Sequence, residues 1–252
     1  MEFGLYDKTR LKRMVITELD DLKVYQFVWQ VINSNTYVIC NKKSFLIVDP
    51  IDSEVFYRFI QEKLTVSKQE KALILLTHSH YDHISGLNRL REILLNHVVL
   101  SSRNCSVNIQ NPKKNLSNIA GAIIGFQDHI EHREVIEHFL VKPFACNPAD
   151  KTFENMLQME WEGHTLQLEE YRGHSKDSVC YVLDGRYMFS GDTLLAIPTV
   201  TRLPGGSTEK FWKEDMPKLI KLSKQIDMVF PGHGMPGRIK DMIAVNVKPC
   251  QL

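Results

Sequence analysis

The sequence predicts an α/β protein in which two mixed β-sheets pack face to face and helices cover their outer surfaces, an αββα four-layer sandwich. Segments rich in β-branched and aromatic residues open the chain, units of strand followed by helix come next, and both kinds of segment recur in the second half. The length of 252 residues and the hydrophobic share of 43% suit a globular protein with a large core. We expect a single domain over residues 1–252.

The first half begins with three strand-like runs. These are LKVYQFVWQV, NTYVIC and SFLIVD, and the intervening NSN and NKK are typical of hairpin connections. Helical spacing follows over residues 53–65, where Ser53 is a candidate N-cap. The uninterrupted apolar run ALILL predicts a strand that is buried on both faces. ISGLNRLREILL then predicts a second helix, and VVL a further short strand.

The second half contains one irregular segment and then a return to strands. Within residues 104–148 IEHREVIEHFL predicts an amphipathic helix, and we interpret the whole segment as a helical and loop insertion packed over the surface. Strand patterns resume with LQMEWEG, HTLQLEEY, SVCYVLDG and RYMFSGD, and the DG dipeptide favours a hairpin between the last two. EKFWKEDMPKLIKLSKQ predicts an amphipathic helix, and IDMVF a final strand.

The composition gives no support for several function classes. A formal net charge of +1 without long runs of one sign predicts neither a nucleic-acid partner nor an anionic membrane surface. The opening MEFGLYDKTRLKRM lacks the apolar centre of a secretory signal, and no apolar stretch approaches the roughly 20 residues that cross a bilayer. The cysteines occur singly, so neither a disulfide framework nor a thiolate zinc finger is predicted. We expect a cytoplasmic protein, of an oligomeric state that the sequence does not indicate.

Potential metal ligands follow the buried-looking strands. A sheet presents functional side chains at the carboxyl ends of its strands, so side chains in these positions can meet in one crevice. The residues at or just past a strand end are Asp49, His78, His174, Asp192 and His233. The histidines outside this pattern and outside HSHYDH are interpreted as surface or capping residues: His97, His129, His132, His138 and His164.

The stretch HSHYDH adds further candidates. Side chains at i and i+2 of an extended segment point the same way, so His78 and His80 can grip one ion. Asp82 and His83 lie where the chain must turn into a helix, and they can point toward a second ion. Imidazole and carboxylate are suitable ligands for zinc and related divalent metals. These four residues are too few for two ions, so further ligands must come from other strand ends.

HSHYDH matches the HxHxDH signature of the metallo-β-lactamase superfamily, which this sequence resembles from the strands around NSNTYVI to PGHG. GHS, SGDT and PGHG look like the remaining metal motifs of that family in the same order, and LIVDP looks like its first motif. The resemblance implies the αββα sandwich with a metal site at one edge, between the sheets.

The resemblance also implies a role for each residue. Asp192 would bridge two metals, and Asp49 would be a hydrogen-bonding carboxylate that orients a ligand histidine. The remaining residues would form two ligand sets: His78, His80 and His174 for one metal, and Asp82, His83 and His233 for the other.

Two such ions favour a hydrolase. Divalent ions about 3.5–4 Å apart lower the pKa of a shared water toward roughly 7 and polarise a scissile carbonyl, while Asp82 or Asp192 would accept the proton of the water. We therefore predict catalysis with two divalent metal ions. Zn²⁺ is the expected metal, and Fe or Mn are alternatives because the same ligands accept them.

The substrate prediction depends on the rim of this site. PGGS at residues 204–207, followed by a helix and FPGHG, resembles the glyoxalase II-like branch (hydroxyacylglutathione hydrolases), which implies a thioester substrate. The chain ends soon after His233, without space for the C-terminal helical domain that helps those enzymes bind glutathione. The acyl group would thus be carried by glutathione, coenzyme A or a carrier protein. Arg172, Lys176 and Arg202 are candidate contacts for an anionic substrate, with solvated surface charges as the alternative.

Several alternatives stay open. The family's common GHTPGS stretch reads GHSKDSV here, with Arg172 where Pro is common, and Asp192 stands where some β-lactamases have Cys. A lactonase or a phosphodiesterase of the same superfamily would use a similar centre. Outside the hydrolases, the alternatives are a mononuclear iron dioxygenase acting on a persulfide and a non-catalytic, metal-stabilised binding module.

Overall fold

A computed structural model describes residues 15–29, 32–41, 44–67, 71–126 and 142–247. The opening segment MEFGLYDKTRLKRM, the helix predicted over IEHREVIEHFL with its two histidines, His129 just before it, and Cys250 lie outside the described residues. The NKK connection also lies largely outside them.

The first sheet has seven strands in chain order, β1 to β7. Neighbours from β1 to β4 are antiparallel, and neighbours from β4 to β7 are parallel. The parallel part follows because strand–helix units connect its strands, as the sequence pattern predicts. The strands are β1 (Val15–Leu19), β2 (Leu22–Trp29), β3 (Ser34–Cys40), β4 (Ser44–Val48), β5 (Lys71–Leu75), β6 (His97–Ser102) and β7 (Lys151–Phe153).

The second sheet has five strands in the order β12-β11-β10-β9-β8. Only β11 and β12 pair in parallel. Asp184 and Gly185 both have positive φ, 52° and 68°, which confirms the predicted DG hairpin turn between β10 and β11. The strands are β8 (Met156–Trp161), β9 (His164–Glu170), β10 (Val179–Leu183), β11 (Tyr187–Gly191) and β12 (Met228–Pro231).

Helices flank both sheets, and the predicted αββα layering is confirmed. On the first sheet lie α1 (Glu54–Ser67), α2 (Tyr81–Ile84), α3 (Leu87–Ile93), α4 (Arg103–Asn108) and α5 (Ala120–Phe126), with a 3₁₀ turn over Ser117–Ile119. On the second sheet lie α6, made of Thr208–Lys210, a π-helical turn over Phe211–Asp215 and Met216–Leu222, and α7 (Ile239–Val247).

Three apolar cores hold the layers together. Alternate side chains of the strands meet between the sheets, for example Leu46 and Leu75 from the first sheet and Tyr181 from the second. The opposite faces pack against helices: Phe56 of α1 lies in the outer core of the first sheet, and Leu219 of α6 in that of the second. Strands such as β10 are therefore buried along their whole length.

Two details differ from the sequence predictions. The helix predicted over ISGLNRLREILL is shorter than predicted: it begins at Leu87 as α3, because Ile84 is the last residue of α2 and the chain turns at Ser85 and Gly86. A Cβ on Gly86 would lie 2.2 Å from the carbonyl oxygen of Ile51, so this turn packs too closely for any other residue. In addition, the described part of 104–148 does not only cover the surface: it supplies buried residues to the outer core, among them Cys105, Ile109, Leu116, Ala120, Ile124 and Cys146.

Within the described residues no helix is both long enough and apolar enough to span a bilayer. Four cysteines are free, and three of them are buried.

Candidate metal centre

Polar side chains converge at one edge of the sandwich, where strands of both sheets end. Asp49 directly follows β4, and the loop after β5 carries His78 and His80 before α2 begins. Backbone hydrogen bonds join the two sheets here, from Val179 N to Thr77 O (2.7 Å) and from Asn35 N to Gly232 O (2.7 Å). The other predicted residues reach the same edge: Asp82 and His83 from α2, His174 from the turn between β9 and β10, Asp192 after β11 and His233 after β12.

His78, His80 and His174 form a first group. One ring nitrogen from each lies within 4.8 Å of the other two, and all three side chains are buried. The shortest separation joins His174 Nε2 and His80 Nδ1 at 3.1 Å. Three neutral imidazoles so arranged can bind one divalent cation.

Asp82, His83 and His233 form a second group with the same spacing of candidate ligand atoms. Asp82 Oδ2 lies 3.2 Å from His83 Nε2 and 3.2 Å from His233 Nε2. The carboxylate adds a negative charge to this half of the centre.

Asp192 lies between the two groups. Its Oδ1 is 3.5 Å from His83 Nε2, whereas its Oδ2 is 3.4 Å from His233 Nε2 and 3.6 Å from His174 Nε2. A single carboxylate therefore reaches ligand atoms of both groups. Gly232 makes this approach possible, because a Cβ there would lie 2.2 Å from Asp192 Oδ1.

Hydrogen bonds on the far side of the rings set their orientation. The carbonyl oxygens of Val200 and Ile32 can only accept, so His174 donates from Nδ1 to the first (2.7 Å) and His233 to the second (3.2 Å). His83 likewise donates from Nδ1 to Asp49 Oδ2 (3.0 Å). In each ring Nε2 is left to face the centre.

Asp49 supports the centre from outside it. Besides the His83 ring, its carboxylate accepts the backbone N–H of Thr77 (2.7 Å) and the hydroxyl of Thr77 (2.5 Å). Asp49, His78 and His83 also have a spacing that could suit an ion. However, three donors already occupy the Asp49 oxygens, so we assign Asp49 to ring orientation, as the sequence predicts.

Buried polar atoms without hydrogen-bond partners indicate whether metal ions would fit the centre. His78 Nε2, His83 Nε2 and Asp192 Oδ1 are buried without a hydrogen-bond partner among the described residues. Leaving such atoms bare costs free energy, and cations bound in the two groups would satisfy them. The donor set of imidazoles and carboxylates is suited to binuclear metal binding.

The charge states differ between the two groups. Burial lowers the pKa of His78 well below its usual value and that of His80 to about 4, so both are neutral, as metal ligands must be. Burial alone would also lower the pKa of His233, but the Asp192 and Asp82 carboxylates raise it to about 10.

Burial likewise disfavours ionised carboxylates in this centre. The His83 and His233 imidazoles nevertheless hold the pKa of Asp82 and of Asp192 well below the usual range. Both side chains therefore stay negatively charged and can accept a proton or a cation.

Sequence reasoning missed Asp215, which stabilises the turn that carries His174. Its carboxylate accepts the backbone N–H groups of Gly173 (2.7 Å) and Arg172 (3.2 Å) from the π-helical turn of α6. Burial raises the pKa of Asp215 to about 6 although both N–H groups lower it. The helical pattern of EKFWKEDMPK identifies a helix but gives no sign of this contact.

Asp177 is a second missed residue. It accepts the Ser175 hydroxyl (2.5 Å) and the Asn108 amide (2.9 Å), and its carbonyl accepts the Ser102 hydroxyl (3.0 Å). These hydrogen bonds join the loop after His174 to both ends of α4. The GHSKDSV stretch, which departs from the family pattern, has this structural role.

The three predicted anion contacts differ in their surroundings. Arg172 forms an ion pair with the buried Glu170 carboxylate, so its guanidinium has an internal partner. Lys176 and Arg202 are exposed and form no ion pair with any residue that the structure describes. Of the other histidines, His97 bonds the Leu94 carbonyl and His164 the Asp184 carboxylate, in agreement with local structural roles.

Known proteins resemble the chain in sequence and in fold. A "probable metallo-hydrolase" of Streptococcus pyogenes is 25% identical over 216 residues, 84% of each chain, and one of Bacillus subtilis is 29% identical over 207 residues, 81% of this chain and 86% of the relative. A hydroxyacylglutathione hydrolase of Francisella tularensis is 37% identical over 60 residues, 24% of this chain and 22% of that protein.

Solved structures support the fold. The BLEG-1 B3 metallo-beta-lactamase superposes with a TM-score of 0.69 at 24% identity, covering 89% of this chain and 98% of that one. TTHA1623 in a di-iron-bound form has a TM-score of 0.65 at 21% identity, covering 89% of this chain and all (100%) of that one. The sequence profile of the Metallo-beta-lactamase superfamily matches residues 29–233, which span every residue of the candidate centre. The chain belongs to the metallo-beta-lactamase superfamily.

Proposed function

We propose that the protein is a binuclear metal-dependent hydrolase that cleaves a thioester. The observation that carries the proposal is the Asp192 carboxylate shared between two groups of inward-facing ligand atoms. His78, His80 and His174 would hold one ion, and Asp82, His83 and His233 the other, with Asp192 on both. Zinc is the proposed metal, since imidazole and carboxylate suit it.

The two ions and the surrounding residues would have separate roles in the reaction. When bound, the two ions would supply a water of lowered pKa and polarise the scissile carbonyl. Asp49 keeps the His83 ring in one orientation, and the Val200 carbonyl does the same for His174. Asp82 and Asp192 are ionised, and they are the residues that would take up a proton from the attacking water.

The thioester class is supported by the rim beside His174. Ser207 N donates to Gly173 O (2.7 Å), and a Cβ on Gly206 would lie 2.7 Å from His174 O, so the PGGS turn packs directly on the ligand-bearing turn. Lys176 and Arg202 are exposed on these two segments and can attract an anionic carrier such as glutathione or coenzyme A. The short similarity to hydroxyacylglutathione hydrolase points the same way.

A substrate panel tests the proposal. Zinc-loaded protein is assayed with acyl-glutathione, acyl-coenzyme A, a lactone and an aryl phosphodiester, with and without a chelator. We expect the thioesters to have the highest kcat/KM and the chelator to abolish turnover. A preference for the lactone or the phosphodiester would overturn the substrate class. If the protein binds a single iron and consumes oxygen with a persulfide substrate, the assignment as a hydrolase is overturned. Metal binding without turnover of any substrate would indicate a binding module.

Asp192→Ala tests the centre itself. Even residues that only support metal ligands cost about 10–100-fold in affinity or activity, so removing a shared ligand should lower kcat/KM by at least about 100-fold. Metal content by elemental analysis should fall in the same variant. The matched control is Asp241→Ala, on the exposed face of α7. Full activity of Asp192→Ala with both metals bound would refute the assignment.

A further inference from the structure

A cleft opens between the two sheets at the end opposite the metal centre. Its volume is about 570 Å³, within the usual range of small-molecule sites. Ser44 and Lys71, the first residues of β4 and β5, line it, whereas the metal centre follows the last residues of the same strands. The two sites therefore lie at opposite ends of the sandwich.

The walls of the cleft are apolar. Leu73 and Val98 face it from the first sheet, and Leu157 and Met159 from β8, the last strand of the second sheet. These side chains continue the core between the sheets, where Leu73, Leu157 and Met159 are only partly buried. An alkyl chain in the cleft would complete their burial.

Lys71 occupies an unexpected position. Side chains alternate along a strand, so Lys71 shares the inward face of β5 with Leu73 and Leu75, which pack in the core between the sheets. Its ammonium group forms no ion pair with any residue in the described part of the chain. Lys71 is exposed and lines the cleft, so its ammonium group is available to an anion that binds there.

Ser44 supplies the second polar group. It is 2% exposed, and its hydroxyl has no hydrogen-bond partner within the part of the chain that the structure describes. Ser44 is the direct register partner of Lys71 in the parallel pairing of β4 and β5, so both side chains lie on the same inward face of the sheet. A hydroxyl donor beside an ammonium group matches a carboxylate.

We propose that this cleft binds a medium-chain fatty acid. The carboxylate lies against Ser44 and Lys71, and the alkyl chain extends over Leu73, Val98 and Met159. Lys151 and Glu162 also line the cleft. The head group is assigned to Ser44 and Lys71 because this pair combines a cation with a buried hydroxyl that lacks a partner among the described residues. This site does not depend on the metal centre or on the reaction proposed for it.

Methyl NMR on the metal-loaded protein tests the site with decanoate as the probe. With ¹³C-methyl methionine, the Met159 signal reports on the cleft and the Met235 signal on the metal centre, two residues after His233. We expect decanoate to shift the Met159 signal in a saturable way and to leave Met235 unchanged. Shifts confined to Met235 would overturn the proposal.

Variants and an uncharged probe then test the head-group contacts. Lys71→Gln should weaken decanoate binding about tenfold, as expected for the loss of a charge-assisted hydrogen bond, and Ser44→Ala should weaken it less. Decanol should bind wild type and Lys71→Gln equally, and Lys240→Gln, on exposed α7, is the matched control. Equal decanoate affinity in wild type, Lys71→Gln and Ser44→Ala would refute the assignment.

Discussion

At the scale of single residues, Asp49 illustrates how a residue outside the candidate metal ligands sets the orientation of one of them. The carboxylate accepts three hydrogen bonds, two from Thr77 and one from the His83 ring. It also adopts a positive φ of 52°, a conformation that few residues other than glycine, asparagine and aspartate tolerate. Backbone geometry and side-chain chemistry both favour aspartate here.

Asp49→Asn tests this role. The amide of asparagine can accept at one atom only, so at least one of the three donors loses its acceptor and the His83 ring loses its fixed orientation. We expect metal affinity to fall by about 10–100-fold, measured by competition with a chromogenic chelator. A variant that retains wild-type affinity would show that the His83 orientation does not depend on this carboxylate.

Asp215 provides a prediction of pH dependence. Its pKa is raised to about 6 in the folded protein, from the ordinary value of 3.8, so the folded state holds the proton more tightly than the unfolded state. The stabilising contribution of this proton is therefore greatest below about pH 4 and is lost as the pH rises through 6.

The comparison of wild type with Asp215→Asn isolates this effect. Between pH 4 and 6.5, the free energy of unfolding of wild type should fall relative to the variant by about 2 kcal/mol, most of the roughly 3 kcal/mol that 1.36 kcal/mol per pKa unit gives over the full titration. Urea denaturation at several pH values measures the difference, and Asp241→Asn serves as the control. A constant difference between the two proteins over this pH range would contradict the prediction.

The candidate metal ligands could be predicted from the sequence more easily than the residues that hold them in position. His78, His80 and Asp82 stand in one short motif, and their spacing alone directs them to a common point. Asp215 and Asp177 act through hydrogen bonds to backbone groups or side chains that are distant in sequence, such as Gly173 and Asn108. A contact of that kind depends on how helices pack on the sheet, which no local pattern contains.

At the scale of elements, strand and helix patterns in the sequence identified most segments, whereas close packing determined where a helix begins or ends. The run over ISGLNRLREILL has helical spacing throughout, but its helix begins only after Gly86, whose backbone lies against Ile51. The short edge strands β1 and β7 and the helix α7 were not predicted. Edge strands of three to five residues have too few side chains to produce a clear alternation.

Gly86→Ala tests the break between α2 and α3. The added methyl group would lie 2.2 Å from the Ile51 carbonyl oxygen and 2.8 Å from the Tyr57 hydroxyl, so backbone must move. We expect a loss of about 1–3 kcal/mol in the free energy of unfolding, as for other overpacked sites. Gly121→Ala, in α5 with no atom within 4 Å of the added carbon, is the matched control and should stabilise by up to about 1 kcal/mol. Equal effects of the two substitutions would show that Gly86 is not constrained by packing.

At the scale of the whole molecule, the αββα layering could be predicted because buried strands and amphipathic helices alternate in a characteristic order. The cleft beside Lys71 could not be predicted in the same way. In the sequence, Lys71 is simply a polar residue before ALILL, and only the pairing of strands and the extent of the second sheet direct it inward.

Metal removal should weaken the whole fold. Ligands to both proposed ions come from both sheets, so ions that bind only the folded chain stabilise it by about 4 kcal/mol when present at 1,000 times their dissociation constant. We expect a chelator to lower the urea midpoint of wild type and to have little effect on Asp192→Ala. An unchanged midpoint for wild type would show that the centre contributes nothing to the coupling of the sheets.

The division of ligands between the sheets also constrains biosynthesis. A ribosome produces all seven strands of the first sheet before any strand of the second, and His233 is translated after the twelfth strand. The inner face of the first sheet therefore stays exposed until the second sheet is made, and the ion proposed for Asp82, His83 and His233 cannot be fully coordinated before that last histidine is translated. Completion of the proposed two-ion centre would consequently be one of the last events in the maturation of this protein.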